Sequence, residues 1–196
     1  MKVPAFRLAL ALTLLTAGRG LAAQEIPAFH AGEWAAEFTG GNWNNAGVMR
    51  FFSPRSALVL SASGSFSRST ATPDGGVEST STSRALFLAL GVRRHNAVAS
   101  RVLATTELGA ELDLNRVKTR TDAFGGPIYR QRQTNYGIYG EIGGQYFVAS
   151  HLALGAVASV NLTRSTGRSE SGGPAVDVSG FSLSTGLRPI RVTLYF

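Results

Sequence analysis

Glu33, Glu37, Glu107, Glu111 and Glu141 each lie among apolar residues, as do Arg50 and Arg93. In an extended chain a charge between apolar neighbours points to the opposite face from them. If that face is enclosed, the charges must pair, because an unpaired buried carboxylate or guanidinium is costly. Arg50, Arg93 and Arg101 are the cations available, with Arg188 or Arg191 as further candidates. The chemistry on offer is an internal ion-pair network. It would either brace and plug an enclosed space or line a small gated ion path.

A second group is basic. Arg116, Lys118, Arg120, Arg130 and Arg132 flank a segment in which Asp122 is the only acid. Guanidinium groups bind phosphate well; the alternative is a solvated charged loop with no specific partner. Catalytic groupings are not evident. None of the histidines, His30, His95 and His151, falls beside a serine and an acid at a usable position. No metal-ligand spacing appears, cysteine is absent, and no cofactor is expected. Gly125-Gly126-Pro127 reads as a turn rather than a phosphate cradle, since no strand-to-helix context follows it.

The elements that must position these charges are strands. Period-two alternation recurs along the chain. Trp34, Ala36 and Phe38 oppose Glu33, Glu37 and Thr39. Met49 and Phe51 oppose Arg50, and Leu58, Leu60, Ala62 and Phe66 oppose a run of serines. Leu86, Leu88, Leu90 and Val92 oppose Phe87, Ala89, Gly91 and Arg93. Leu108, Ala110 and Leu112 oppose Glu107 and Glu111; Ile138 and Ile142 oppose Tyr139 and Glu141; Leu154, Ala156 and Leu162 oppose Gly155, Val157 and Asn161. In the last segment Phe181, Leu183 and Leu187 share one phase and Ile190, Val192 and Leu194 the other, so the phase slips at Arg188-Pro189. Proline cannot donate to a ladder, and a bulge is expected there. Turns are expected at 41–45, 53–55, 95–97 and 148–150, and long polar loops at 68–83, 115–132 and 164–176. The count is eight strands.

The N-terminus has the layout of a secretory signal. Lys2 and Arg7 precede an apolar run, Leu8 to Ala17, and small residues follow at Gly20-Leu21-Ala22. That run is too short to span a bilayer as a helix. The expected organisation is a signal peptide over 1–22 and one domain over 23–196. Lys2, Arg7 and Arg19 belong to the first, leaving 16 basic residues against 12 acidic ones in the second. An excess that small does not point to nucleic acid.

One face of these strands is nearly free of charge and the other carries the carboxylates and arginines. A soluble up-and-down barrel turns its polar face outward, whereas a membrane barrel turns it inward. Alternation alone does not choose. The final residues Val192, Leu194 and Phe196 alternate up to a C-terminal phenylalanine. Together with the targeting segment, they resemble the small bacterial outer-membrane barrels of the OmpA/OmpX type; Leu194 stands where an aromatic is usual in that signature. The resemblance implies an all-β, eight-stranded antiparallel up-and-down transmembrane β-barrel in the outer membrane, reached after signal-peptide cleavage. It implies that Val192, Leu194 and Phe196 form the signal read by the barrel assembly machinery. It also implies an interior just wide enough for side chains, outer-membrane lipid around the wall, and a structural or surface-interaction role with loops facing the exterior. A small ion or solute channel is the alternative, and a lipid-modifying enzyme a third. On this reading the basic residues 116–132 would face lipopolysaccharide, and Trp34, Phe38, Trp43, Phe51, Tyr136, Tyr146, Tyr195 and Phe196 would belong to interfacial aromatic girdles.

Overall fold

The computed structural model describes residues 29–40, 45–72, 78–121 and 128–196. The proposed targeting segment and the tips of three connections lie outside them. Eight strands run in chain order: β1 (Trp34–Gly40), β2 (Asn45–Ser53), β3 (Ser56–Ala71), β4 (Ser79–Ala99), β5 (Val102–Thr121), β6 (Ile128–Ala149), β7 (Leu152–Ser171) and β8 (Val176–Tyr195). Each pairs antiparallel with its sequence neighbour, and β1 pairs with β8, closing the barrel. Closure removes the sheet edges wherever all eight strands are present.

The alternation places side chains as strand geometry requires. Leu108 is 69% exposed on the outer wall while Glu107, one residue earlier, is 8% exposed in the lumen. Leu60, Leu90, Ile138, Ile142, Leu154 and Val160 likewise face outward. The lumen receives Glu37, Arg93, Glu141, Gln145, Arg191 and Thr193. The middle of the lumen is charged while the wall is apolar, the reverse of a water-soluble barrel; an apolar cluster that includes Phe29, Met49, Phe51, Leu103 and Phe147 fills the interior toward the end that holds the chain termini.

The expected slip in β8 is a bulge. Gly155 of β7 pairs with Arg191 and Val157 with Arg188, so Pro189 and Ile190 together face Ala156 alone. The extra residue turns two arginines three positions apart to the same side. Without it, Arg188 and Arg191 would face opposite sides of the wall.

Three expectations are corrected. The segments 68–83, 115–132 and 164–176 are not long loops; β3, β4, β5, β6 and β7 continue through most of them as paired ribbon. Ser, Thr and Gln alternate there with other polar residues, so no contrast marks the strand although the ladder continues. His95 is not in a turn but inside β4, buried in the lumen; the β4–β5 turn falls at Ser100-Arg101. In β2 the faces are inverted. Met49 and Phe51 point inward and are buried, while Arg50 is exposed with its guanidinium 5.4 Å from the Trp34 ring centroid.

Candidate functional site

The ion cluster in the lumen is built from β1, β4, β5, β6 and β8. Arg93 of β4 stands at the centre. Its Nη1 donates to Glu37 Oε2, its Nη2 to Glu37 Oε1 at 3.0 Å and its Nε to Glu107 Oε2 at 2.7 Å. The planar fork lets one guanidinium satisfy two carboxylates at once. Arg191 Nε lies 3.2 Å from Glu37 Oε1, and its Nη2 donates to Glu141 Oε2 at 2.5 Å. Arg188 Nη1 donates to Glu141 Oε1 at 2.8 Å. The bulge in β8 is thus what clamps Glu141 between two arginines. Three carboxylates meet three guanidiniums, so the cluster is neutral and every carboxylate has a partner, as burial demands.

Hydroxyls and an amide extend the network. Tyr139 Oη donates to Glu107 Oε1 at 2.6 Å. Thr193 Oγ1 donates to Glu37 at 3.4 Å and accepts from Gln145 Nε2 at 3.0 Å, and Tyr195 Oη donates to Gln145 Oε1 at 2.6 Å. Tyr195, expected with Phe51 in an outward girdle, instead turns inward with it and joins an aromatic layer at the end of the barrel where the chain enters and leaves. Phe29 stacks on Phe51 at 4.6 Å and on Tyr195 at 4.9 Å, with Phe147 and His95 around them. The space left beside the ion cluster is about 20 Å³, room for about one water. Above it the lumen widens into a cavity of about 240 Å³ lined by Asn45, Glu111, Asp113, Asn135, Asn161 and Arg188, among others.

Glycine makes room for the network at one place. Gly91 and Gly109 are cross-strand partners, and Gly109 pairs with Tyr139. A Cβ on Gly91 would stand 2.5 Å from Tyr139 Oη, and one on Gly109 would stand 2.6 Å from the ring. The phenol therefore lies across two bare backbones to reach Glu107. Gly109→Val is expected to displace Tyr139 and destabilise the barrel by about 1–3 kcal/mol, the usual cost of overpacking. Urea titration of the refolded protein in detergent would measure it, and an unchanged midpoint would contradict the close approach.

The residues singled out by sequence divide as follows. Glu37, Arg93, Glu107 and Glu141 meet in the cluster. Glu111 faces the cavity above it, half-buried. Glu33 does not enter the lumen. It precedes β1 and pairs with His30 at 2.8 Å, whose backbone N–H and ring hold its carboxyl below the usual range. Arg50 faces outward and Arg101 sits in the β4–β5 turn. Arg188 and Arg191 both take part. Tyr139, Gln145 and Thr193 are members that sequence alone did not single out, because nothing distinguishes a lumenal Tyr or Thr from one at a membrane interface.

Outside, Arg116, Lys118, Arg120, Arg130 and Arg132 sit on strands rather than in a loop, exposed on the outward face. Register adds others. Arg84 pairs with Arg116, Arg116 with Arg132 and Arg132 with Arg168, a row of four arginines on four adjacent strands. Lys118 and Arg130 pair in the next outward row. Arg68 and Arg164 are also exposed, and Arg164 lies 5.5 Å over the Phe181 ring. These cations begin where the apolar wall ends. Like charges directly opposite across strands are destabilising; among the described residues Glu170 faces Arg130 across the ladder and pairs with Arg168 at 3.4 Å.

No family model matches the chain, and no curated protein matches it. Among solved structures, the crystal structure of CarO from Acinetobacter baumannii is similar at 10% identity and a TM-score of 0.43, covering 87% of this chain and all of that one. The crystal structure of Ail, the attachment invasion locus protein of Yersinia pestis, is similar at 11% identity and a TM-score of 0.39, covering 84% of this chain and 94% of that one.

Proposed function

We propose that this chain is a bacterial outer-membrane barrel with a structural and surface-interaction role. Its lumen is shut by the ion cluster and aromatic layer, and its outer basic belt holds lipopolysaccharide phosphates. The observation that carries the membrane reading is the inverted wall: large aliphatic side chains cover the outside while paired charges fill the centre. Barrels satisfy every backbone group without water, which is why they span bilayers. The belt supports the second half, since four arginines in register offer forked donors to phosphate oxygens. Arg116, Lys118, Arg120, Arg130 and Arg132 supply most of it, with Arg84 and Arg168 completing the row.

The test is binding of purified lipopolysaccharide to the refolded barrel. Arg116→Glu combined with Arg132→Glu is expected to weaken it at least tenfold, about 1.4 kcal/mol, while heat-modifiable migration on a gel is retained. Unchanged affinity would overturn the phosphate role. The polar cavity above the cluster favours the channel as a second reading. Planar-bilayer recording separates the two: a shut lumen gives no reproducible conductance steps, and a channel gives them.

A further inference from the structure

The cavity above the ion cluster carries charge that the cluster does not balance. Glu111 and Asp113 stand two residues apart on β5, so both turn inward and line it. Arg188 is the one cation among its lining residues, and that guanidinium is already held on Glu141. The cluster below is neutral with Arg188 counted in it, so the cavity holds two carboxylates in excess. Asp113 Oδ2 accepts an N–H from Asn135 Nδ2 at 3.1 Å. Glu111 takes part in no hydrogen bond or ion pair among the described residues. A carboxylate drawn out of bulk water needs a counter-charge close by.

Two amide oxygens share the same shortage. Asn45, the first residue of β2, is 8% exposed, and Asn161 of β7 is half-buried. Both line the cavity, and the Oδ1 of each lacks a hydrogen-bond partner among the described residues. A buried amide oxygen without a donor is uncommon and calls for a group that supplies positive charge. Register keeps the space beside them clear. Glu111 pairs with Gly137 of β6, and Gly137 with Thr163 of β7, two residues from Asn161. With no side chain at Gly137, nothing from β6 stands between Glu111 and β7 at that level. Asn45 lines the same space from β2, on the other side of the lumen.

We infer that this cavity binds one hard divalent cation of the calcium class, through Glu111, Asp113 and the amide oxygens of Asn45 and Asn161. Two carboxylates match two positive charges. Every proposed ligand is an oxygen, and no histidine, cysteine or methionine is among the described lining residues, which disfavours transition metals. Ca²⁺ takes carboxylates, Asn carbonyls and waters together, about six to eight oxygens in loose geometry, whereas Mg²⁺ demands a tight octahedron. At about 240 Å³ the cavity leaves room for the waters that complete such a shell. Among the described residues no three Asp, Glu, His or Cys side chains converge, so the amides are needed. With two charged ligands the site is expected to be weak, with a Kd of about 0.1–1 mM. The ion would tie β2, β5 and β7 together above the level at which Arg93 ties β4 to β1 and β5.

The test uses the whole barrel refolded in a non-ionic detergent without lipopolysaccharide, so that neither anionic lipid nor the arginine belt contributes. Calcium chloride is the probe, titrated calorimetrically near neutral pH at constant ionic strength. One ion per barrel is expected to bind. Glu111→Gln, which keeps the side chain's shape and is checked by heat-modifiable migration, is expected to weaken binding at least tenfold. Asn45→Ala combined with Asn161→Ala is expected to weaken it severalfold. Asp177→Asn removes an exposed acid at the start of β8 and is expected to leave binding unchanged. No uptake at about 10 mM calcium, ten times the weakest expected Kd, would overturn the site. So would uptake that Glu111→Gln leaves unchanged, which would place the ion on surface carboxylates. Unchanged affinity in the double asparagine variant would overturn the four-ligand set.

Discussion

Replacing Arg93 with alanine is expected to destabilise the barrel by about 3–5 kcal/mol, the cost of breaking a buried pair from one side. The substitution strands two buried carboxylates at once. Glu37 keeps Arg191 and Thr193, but Glu107 is left with only the Tyr139 hydroxyl. The double variant Arg93→Met, Glu107→Gln removes one charge of each sign and leaves Glu37 and Glu141 against Arg188 and Arg191; it is expected to recover most of the loss, because no buried carboxylate is then stranded without a cation. Urea midpoints of the three proteins, each refolded in the same detergent, would decide. If Arg93→Ala unfolds at the wild-type midpoint, the cluster does not brace the barrel. If the double variant is no more stable than Arg93→Ala, a stranded charge is not what the alanine variant suffers from.

The second large effect concerns the outer wall. Leu108→Arg places a guanidinium on the outward face at 69% exposure. On a protein whose wall met water, such a surface change would stay within about 0.5 kcal/mol. At the midplane of a bilayer it costs about 2–4 kcal/mol, falling toward the interfaces. The same substitution at Val98, near the barrel end, is therefore expected to cost much less, although Val98 is exposed to a similar degree. Folding equilibria in phospholipid vesicles would measure the difference. Equal and small effects at both positions would contradict a lipid-facing wall.

How much of this was legible in the sequence depended on contrast between faces. In β4 the run Leu86 to Arg93 alternates so sharply that both strand and sidedness could be read, and the same holds for Leu108 beside Glu107 and Ile142 beside Glu141. The slip at Pro189 pointed to a bulge because the apolar phase changes across it. In β2 both faces are apolar at that level, so one charge, Arg50, tipped the reading the wrong way; its place over Trp34 outside the wall depends on a neighbour from another strand. The ribbons beyond the wall were missed because water bathes both their faces and periodicity carries no signal there. His95 was hidden by the opposite circumstance, a polar ring taken into an aromatic layer built from Phe29, Phe51 and Phe147. The arginine row was only partly visible, since Arg116 and Arg132 stand near one another in sequence, whereas Arg84 and Arg168 join them through register.

The most direct test of the sidedness on which all of this depends is spin labelling at single introduced cysteines. Leu108→Cys and Ile142→Cys report the outer wall, and Thr163→Cys reports the cavity of the upper lumen. In vesicles, the labels at 108 and 142 are expected to relax with oxygen dissolved in the bilayer and to ignore a water-soluble nickel chelate, while the label at 163 does the reverse. Labels at 108 and 142 that respond to the chelate and not to oxygen would mean that water, not lipid, meets the aliphatic wall.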